Sequence, residues 1–339
     1  MLDPSMPPPA RLFQMINASF ITQAVVVAAK LNIADRVKEG PAPVEALAEA
    51  TGAHAPSLYR VLRALASIGV FSETEPGRFG LTPVGDCLRS DAPGSLRAYA
   101  LMTGDAWCQH VMIDLMGCVE TGKPATARLY GLDNIFQYFE AAPEAAANFN
   151  AAMSSFARQI HAAAVAAYDF SGVRRLVDVG GGHGALLASI LSRHPEMRGV
   201  LFDLPRVVRD AHASLERAGV AERCEVTGGD FFRSVPEGAD AYILSSIVHD
   251  WSDEDSLVLL RNVRRAIADG GRVLLVESVI QPGNAPDLGK LLDLAMMLAG
   301  GGRERTEAEF RELLAAAGFR LSRVLPTAGA TSVLEAVPA

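Results

Sequence analysis

Along the chain, apolar residues first recur at helical spacing and later gather into short unbroken runs. Leu12, Met15, Ile16, Phe20 and Ala24 mark a helix, and Ile21, Val25, Val26 and Val27 widen its apolar surface to nearly all sides. A helix that is apolar all round needs cover, and near a chain end a partner subunit is the simplest cover. "APVEALAEATGAHAPSLYRVLRALASIGVF" predicts a helix, a turn at Gly52, a second helix and a stop at Gly69. "FSETEPGRFGLTPVGDCL" carries Pro76-Gly77 between two strand-like runs, a hairpin signal. Together these predict a winged-helix unit over residues 1–95, readable as a DNA-binding module or as a dimerisation scaffold. Its second helix offers only Arg60 and Arg63 as cations, which favours the scaffold.

Residues 96–170 read as a helical linker, with "GKPATARLYGLDN" as a loop. Aromatic and methionine residues are dense here, among them Trp107, Met112, Met116, Phe136, Tyr138, Phe139, Phe149, Met153 and Phe156. Most such residues are core, but a few suit the wall of a pocket for a flat apolar ligand. From residue 171 the pattern changes. "RLVDVG", "RGVLFDL", "AYILSSIV" and "GRVLLVES" are apolar runs separated by helical patterns, which predicts a mostly parallel, doubly wound α/β sheet over residues 171–339. The third run leads into "IVHDWSDEDS", placing His249 and Asp250 where ligands sit in open α/β sheets.

The chain's 339 residues allow more than one core. A net charge of -8 disfavours nucleic acid or an anionic membrane as partner. Cys87, Cys108, Cys118 and Cys224 lie scattered, with neither metal-ligand spacing nor a disulfide framework. No basic segment followed by an apolar core opens the chain, and no apolar run reaches the roughly 20 residues of a membrane span. A soluble cytoplasmic protein is expected.

"LVDVGGGHGALLASIL" joins the first strand of the sheet to a helix through Gly180, Gly181, Gly182 and Gly184. The spacing is G-x-G-x-G, with Asp178 just ahead of it. A carboxylate there would repel a diphosphate but suits a ligand with an ammonium group, such as S-adenosylmethionine. Asp203 in "LFDLP" follows about 20 residues on, where an acid accepts from ribose hydroxyls. In "GGDFF", Asp230 suits the adenine amino group and Phe231 the adenine face.

"DVGGGHG", "FDLP", "GGDFF", "HDWSDED", "LLVES" and "GRERTEAEF" occur in this order after the winged-helix segment. In this the chain resembles the small-molecule O-methyltransferases of the plant caffeate and hydroxyindole type, in their bacterial natural-product branch. The resemblance implies a Rossmann-like catalytic domain, a homodimer formed through the N-terminal domain, and a small aromatic hydroxyl as substrate. S-adenosyl-L-methionine would be the cofactor and S-adenosyl-L-homocysteine the product, with no metal. It assigns Asp178, Gly180, Gly182, Asp203, Leu204, Asp230, Phe231, Ser245 and Trp251 to the cofactor. His249 would be the general base, bracketed by Glu277 and Glu309, with Asp250 orienting the acceptor. Phe149, Met153 and Met297 would hold the acceptor's ring. Two departures stand out: plant members carry lysine where Ser245 stands, and "AGGGRER" replaces their Asn-Pro segment.

The chemistry follows from the groups. A phenol with a pKa of about 10 is almost wholly protonated at neutral pH, and a phenolate attacks a sulfonium methyl far better. Help from a general base is typically worth about 10²–10⁴-fold. In-line positioning contributes more, about 7–11 kcal/mol. His183 in the glycine loop has either a cofactor contact or solvent. His110 and His161 are expected to be structural, and Arg303 and Arg305 to pair with Glu304 and Glu307. Two rival functions remain: a family member repurposed for hydroxylation or decarboxylation of a polyketide, and a winged-helix DNA-binding regulator.

Overall fold

The computed structural model describes residues 6–132 and 135–339. They divide into two compact units: residues up to His110 with Phe139–Phe156, and Val111–Tyr138 with Ala157–Ala339.

The first unit opens with helices Pro8–Ile16 and Ala18–Lys30, bent by 42°. The single helix expected here is thus two. The side-chain amide of Asn17, between them, donates to the Phe13 carbonyl at 2.8 Å. Among the described residues no single helix is long and apolar enough to cross a membrane. Phe13 and Phe20 are 68% and 73% exposed in the isolated chain. That is far more apolar surface than a free helix normally shows to water. The inner face buries Val26, Ala28 and Ala29, and the two alanines share one core with Leu58, Leu62 and Leu65 of helix Ala55–Ser67. The spacing of these leucines puts all three on one stripe. Strand β1 (Ala42–Pro43) joins a hairpin of β2 (Phe71–Glu75) and β3 (Arg78–Leu81), in sheet order β1-β3-β2. The hairpin turns through Gly77 at φ +76°, a conformation that costs glycine little.

In the second unit, the segment expected as a loop over residues 122–134 contains a helix, Ala125–Tyr130. Pro124 sits at its entrance, where a missing N–H costs nothing. The Thr126 hydroxyl donates to the Ala299 carbonyl at 3.2 Å. Asp133 and Asn134 of that segment lie outside the described residues.

The main sheet comprises β4 (Arg175–Val179), β5 (Arg198–Asp203), β6 (Cys224–Gly228), β7 (Ala241–Ser245) and β8 (Arg272–Glu277). A separate two-stranded pair is β9 (Val279–Ile280) with β10 (Arg305–Thr306). Strands β11 (Phe319–Pro326) and β12 (Ser332–Pro338) complete the main sheet, whose order is β11-β12-β8-β7-β4-β5-β6. The five strands from β4 to β8 run parallel, β12 pairs antiparallel with β8, and β11 pairs antiparallel with β12. Successive residues point to opposite faces: Val177, Tyr242 and Leu275 enter one core, Leu176, Ile243 and Leu274 the other. Helices Asp253–Ala266 and Glu307–Ala316 cover the first core, and helix Ala185–Arg193 covers the second. The chain runs from β4 outward to β5 and β6, then returns to the other side of β4 with β7. This reversal opens a crevice beyond the ends of β4 and β7, the place where such sheets bind ligands.

Candidate active site

Two loops leave the sheet at that reversal. After β4 the chain passes through Gly180, Gly182 and Gly184, all at positive φ, before helix Ala185–Arg193 begins. A Cβ on Gly180 would stand 2.5 Å from the Ile247 side chain. The glycine loop and the segment after β7 therefore lie in direct contact, and only hydrogen fits between them. Around Gly182 nothing lies within 4 Å of where a Cβ would be.

Asp178 lies almost wholly buried beneath this loop, at 1% exposure. Its Oδ2 has no hydrogen-bond partner. Burial, followed by the nearby charge of Asp203, pushes its carboxyl up to about 7. An unpaired buried acceptor is costly unless something fills the role, and an ammonium group would. Asp203 accepts from the backbone N–H of Gly182 at 2.9 Å and of Leu204 at 2.6 Å. It braces the loop and still has lone pairs for a diol. Asp230 accepts from the Phe232 N–H at 2.9 Å. Phe231, Phe232 and Trp251 form a cluster of edge-on rings, with centroids 4.7–5.9 Å apart. The Ser245 hydroxyl, at the end of β7, is a second buried group without a partner. His183 is exposed. These residues fit a donor that carries an ammonium group, a ribose and an adenine.

His249 stands on the short helical turn Val248–Asp250, just past β7. Its Nδ1 lies 2.9 Å from Oε1 of Glu304 and 3.7 Å from Oε2 of Glu277. Its Nε2 lies 3.5 Å from Oδ1 of Asp250. Glu277, the last residue of β8, is fully buried. Its Oε1 accepts from the backbone N–H groups of Ile247 and Val248 at 3.0 and 2.8 Å, which ties down the base of the turn. Glu304 is 2% exposed, and its own N–H donates to Asp293 at 2.9 Å. Burial alone would hold the imidazole neutral, but Glu277, Glu304 and Asp250 outweigh it and push His249 up to about 10. Burial raises Glu277 to about 7 and also raises Asp250, although the neighbouring imidazolium favours both carboxylates. The cluster therefore holds protons tightly.

One expected carboxylate is displaced. Glu309 does not bracket the ring. Its Oε2 accepts from the N–H and hydroxyl of Thr306, both at 2.8 Å, in a capping box that starts helix Glu307–Ala316. Its Oε1 accepts from Arg303. Glu304 occupies the place assigned to Glu309. The arginines, too, differ from expectation: Arg303 pairs with Asp253 and Glu309, and Arg305 with Asp253. His249, Glu277 and Glu304 also form the one group with metal-ligand proximity among the described residues. Nδ1 and Glu304 already form a hydrogen bond there.

Of the residues expected to hold the acceptor, Phe149 and Met153 share helix Pro143–Ala167 and belong to the first unit. Phe149 packs on Phe139 and Trp107, at centroid distances of 4.7 and 6.4 Å. Met297 is half-buried in the second unit, on helix Gly289–Ala299.

Comparisons with known proteins identify the family. Residues 113–320 match the O-methyltransferase domain, and residues 13–91 match the O-methyltransferase dimerisation domain. Phenazine O-methyltransferase PhzM of Lysobacter antibioticus is 48% identical over 331 residues, covering 96% of this chain and 95% of that protein. The solved structure of LaPhzM superposes with a TM-score of 0.89 at 48% identity, over 98% of this chain and 100% of the other. CalO1, a methyltransferase of calicheamicin biosynthesis solved with S-adenosylhomocysteine, gives 0.88 at 36% identity, over 99% and 100%. The chain belongs to the O-methyltransferase family and is an S-adenosylmethionine-dependent enzyme.

Proposed function

We propose that the enzyme methylates a phenolic or enolic hydroxyl of a small aromatic natural product, with His249 as the general base. A hydroxylated phenazine is the first acceptor to try, given the likeness to the phenazine enzyme. The observation that carries the proposal is the ring of His249, held through Nδ1 by Glu304 on the turn just past β7, with Nε2 3.5 Å from Asp250.

Bound S-adenosylmethionine supplies an electrophilic methyl group. Because the Glu304 carboxylate accepts from Nδ1–H, the lone pair of the neutral ring sits on Nε2 and can take the acceptor's proton. A free imidazole near 6.5 would take a proton from a phenol near 10 at a cost of about 5 kcal/mol. Raised above the ordinary imidazole value by Glu277, Glu304 and Asp250, His249 lowers the cost of that transfer. With the donor bound, the acceptor oxygen would form its bond to the methyl carbon as the carbon–sulfur bond breaks, leaving the methyl ether and S-adenosylhomocysteine. Afterwards the cluster must return one proton to solvent. Asp178, Gly180, Gly182, Asp203, Leu204, Asp230, Phe231, Ser245 and Trp251 are assigned to the donor. Asp250 is assigned to aligning the acceptor, and Phe149, Met153 and Met297 to holding its ring.

The division of labour proposed for the chain is dimerisation by residues 1–95, acceptor contacts from 96–170 and donor binding by 171–339. The exposed apolar face of the first two helices supports a homodimer, and the matched dimerisation domain is in accord. A cytoplasmic location is part of the same reading.

A panel of hydroxylated phenazines and other phenols, incubated with isotopically labelled methyl donor, tests the assignment. A labelled methyl ether is the expected product. Oxygenated or decarboxylated products without label would instead place the chain among the repurposed members.

A further inference from the structure

The turn that carries His249 is a single helical turn, too short to hold itself. Beside it lies Arg305, the largest of the fully buried side chains, at 0% exposure. A guanidinium removed from water is tolerable only when its N–H groups are paired. Here Nη1 donates to the carbonyls of Val248 at 3.0 Å and Arg303 at 3.3 Å. Nη2 donates to the Trp251 carbonyl at 3.0 Å, the Ser256 hydroxyl at 3.3 Å and Asp253 at 2.8 Å. Nε donates to Asp253 at 2.9 Å. One planar fork thus binds the carbonyls on either side of His249 and Asp250.

The neighbouring backbone completes the grip. The N–H of Arg303 donates to the His249 carbonyl at 2.9 Å. A Cβ on Gly302 would collide with that same carbonyl, so the segment lies on the turn only because residue 302 is glycine. Strand β10 pairs Arg305 with Val279, just beyond Glu277. The segment from Gly302 to Arg305 therefore touches the turn of His249, supplies Glu304 and abuts the strand that follows Glu277.

We infer that Arg305 is a positioning residue for methyl transfer: its fork fixes the turn of His249 against Glu304 and Glu277. The inference rests on the reading of His249 as base. It acts through geometry, so charge alone does not suffice for the role. A lysine keeps the charge but replaces the fork with one point donor.

Arg305→Lys is the test, made in the full-length enzyme. At a temperature where circular dichroism shows the variant folded, kcat is expected to fall about 10–100-fold, as misplaced catalytic groups do. Donor affinity, by titration calorimetry, is expected to stay within about twofold. The low-field proton resonance of His249 Nδ1–H should broaden or move upfield. A folded Arg305→Lys enzyme with wild-type kcat and resonance overturns the inference, as does a loss of kcat that merely tracks the folded fraction. Should that variant not fold, Asp253→Asn serves, since Asp253 is largely exposed and anchors the same fork. There a smaller loss of kcat with the same change in resonance is expected, and unchanged values for both overturn the inference. Retained turnover in His249→Ala would instead remove the base reading, while leaving the resonance of Arg305→Lys as an independent measure of the grip.

Discussion

Nδ1 of His249 lies 2.9 Å from a carboxylate oxygen of Glu304, a residue 55 positions away in the chain. This pairing decides which nitrogen of the neutral ring carries the proton, and Glu277, with Glu304 and Asp250, raises the ring's affinity for a second one. Comparable partners orient catalytic imidazoles elsewhere and stabilise the cation that forms.

Glu304 and Glu309 of "GRERTEAEF" should therefore behave differently. Glu304→Gln removes the charge that fixes the tautomer, and kcat is expected to fall about 10–100-fold with little loss of stability. Glu309→Ala instead dismantles a capping box, which costs about 1 kcal/mol of stability. Its kcat should stay within about threefold of wild type. Steady-state kinetics beside thermal melts separates the two. The reverse pattern would restore Glu309 to the site.

This contrast also shows what was legible in the chain. His249, Asp178 and Glu277 stand at or near the ends of apolar runs, so strand pattern framed His249 and Asp178, and the family resemblance added Glu277. Glu304 and Glu309 stand five residues apart with no such frame. The overlooked signal was Thr306 followed three residues later by Glu309, a capping-box spacing that commits Glu309 to its own helix. Strand β6, "CEVTG", and β11, with Arg320 and Arg323, carry too many polar positions to read as apolar runs. All the partners of Arg305 except the Arg303 carbonyl lie about 50 residues away, invisible to any local pattern.

Asp178 gives a prediction about binding and stability together. In Asp178→Asn, loss of a charge-assisted contact should weaken the methyl donor about 10–100-fold. The ligand-free protein should meanwhile melt several degrees higher near pH 8, because a buried carboxylate no longer has to ionise. Calorimetric titration and melts check the two halves. Unchanged donor affinity would remove Asp178 from the cofactor site.

Stability of the ligand-free enzyme should fall as pH rises. Asp178 and Glu277 are raised to about 7 and His249 to about 10. Each folded value lies above the unfolded one. Each contribution is therefore complete below the unfolded pKa and is lost as pH climbs through the folded pKa. For the two acids the loss runs from about pH 4 to 7, and for His249 from about pH 6.5 to 10. Thermal melts across pH 5 to 10 should show a steady decline. A melting temperature that rises from neutral to alkaline pH would contradict the buried cluster.

The same proton affinity predicts the rate profile. If His249 must be neutral to act, kcat/KM for the acceptor at saturating donor should climb through about pH 7 to 9. A base near the ordinary imidazole value would give a plateau above about pH 7.5.

The most direct measurement is turnover of His249→Ala at saturating donor, with donor affinity measured on the same preparation. The account predicts a fall in kcat of about 10²–10⁴-fold, with donor affinity within about twofold of wild type. A variant that keeps wild-type kcat, or one whose lost activity is matched by lost donor binding, would contradict it.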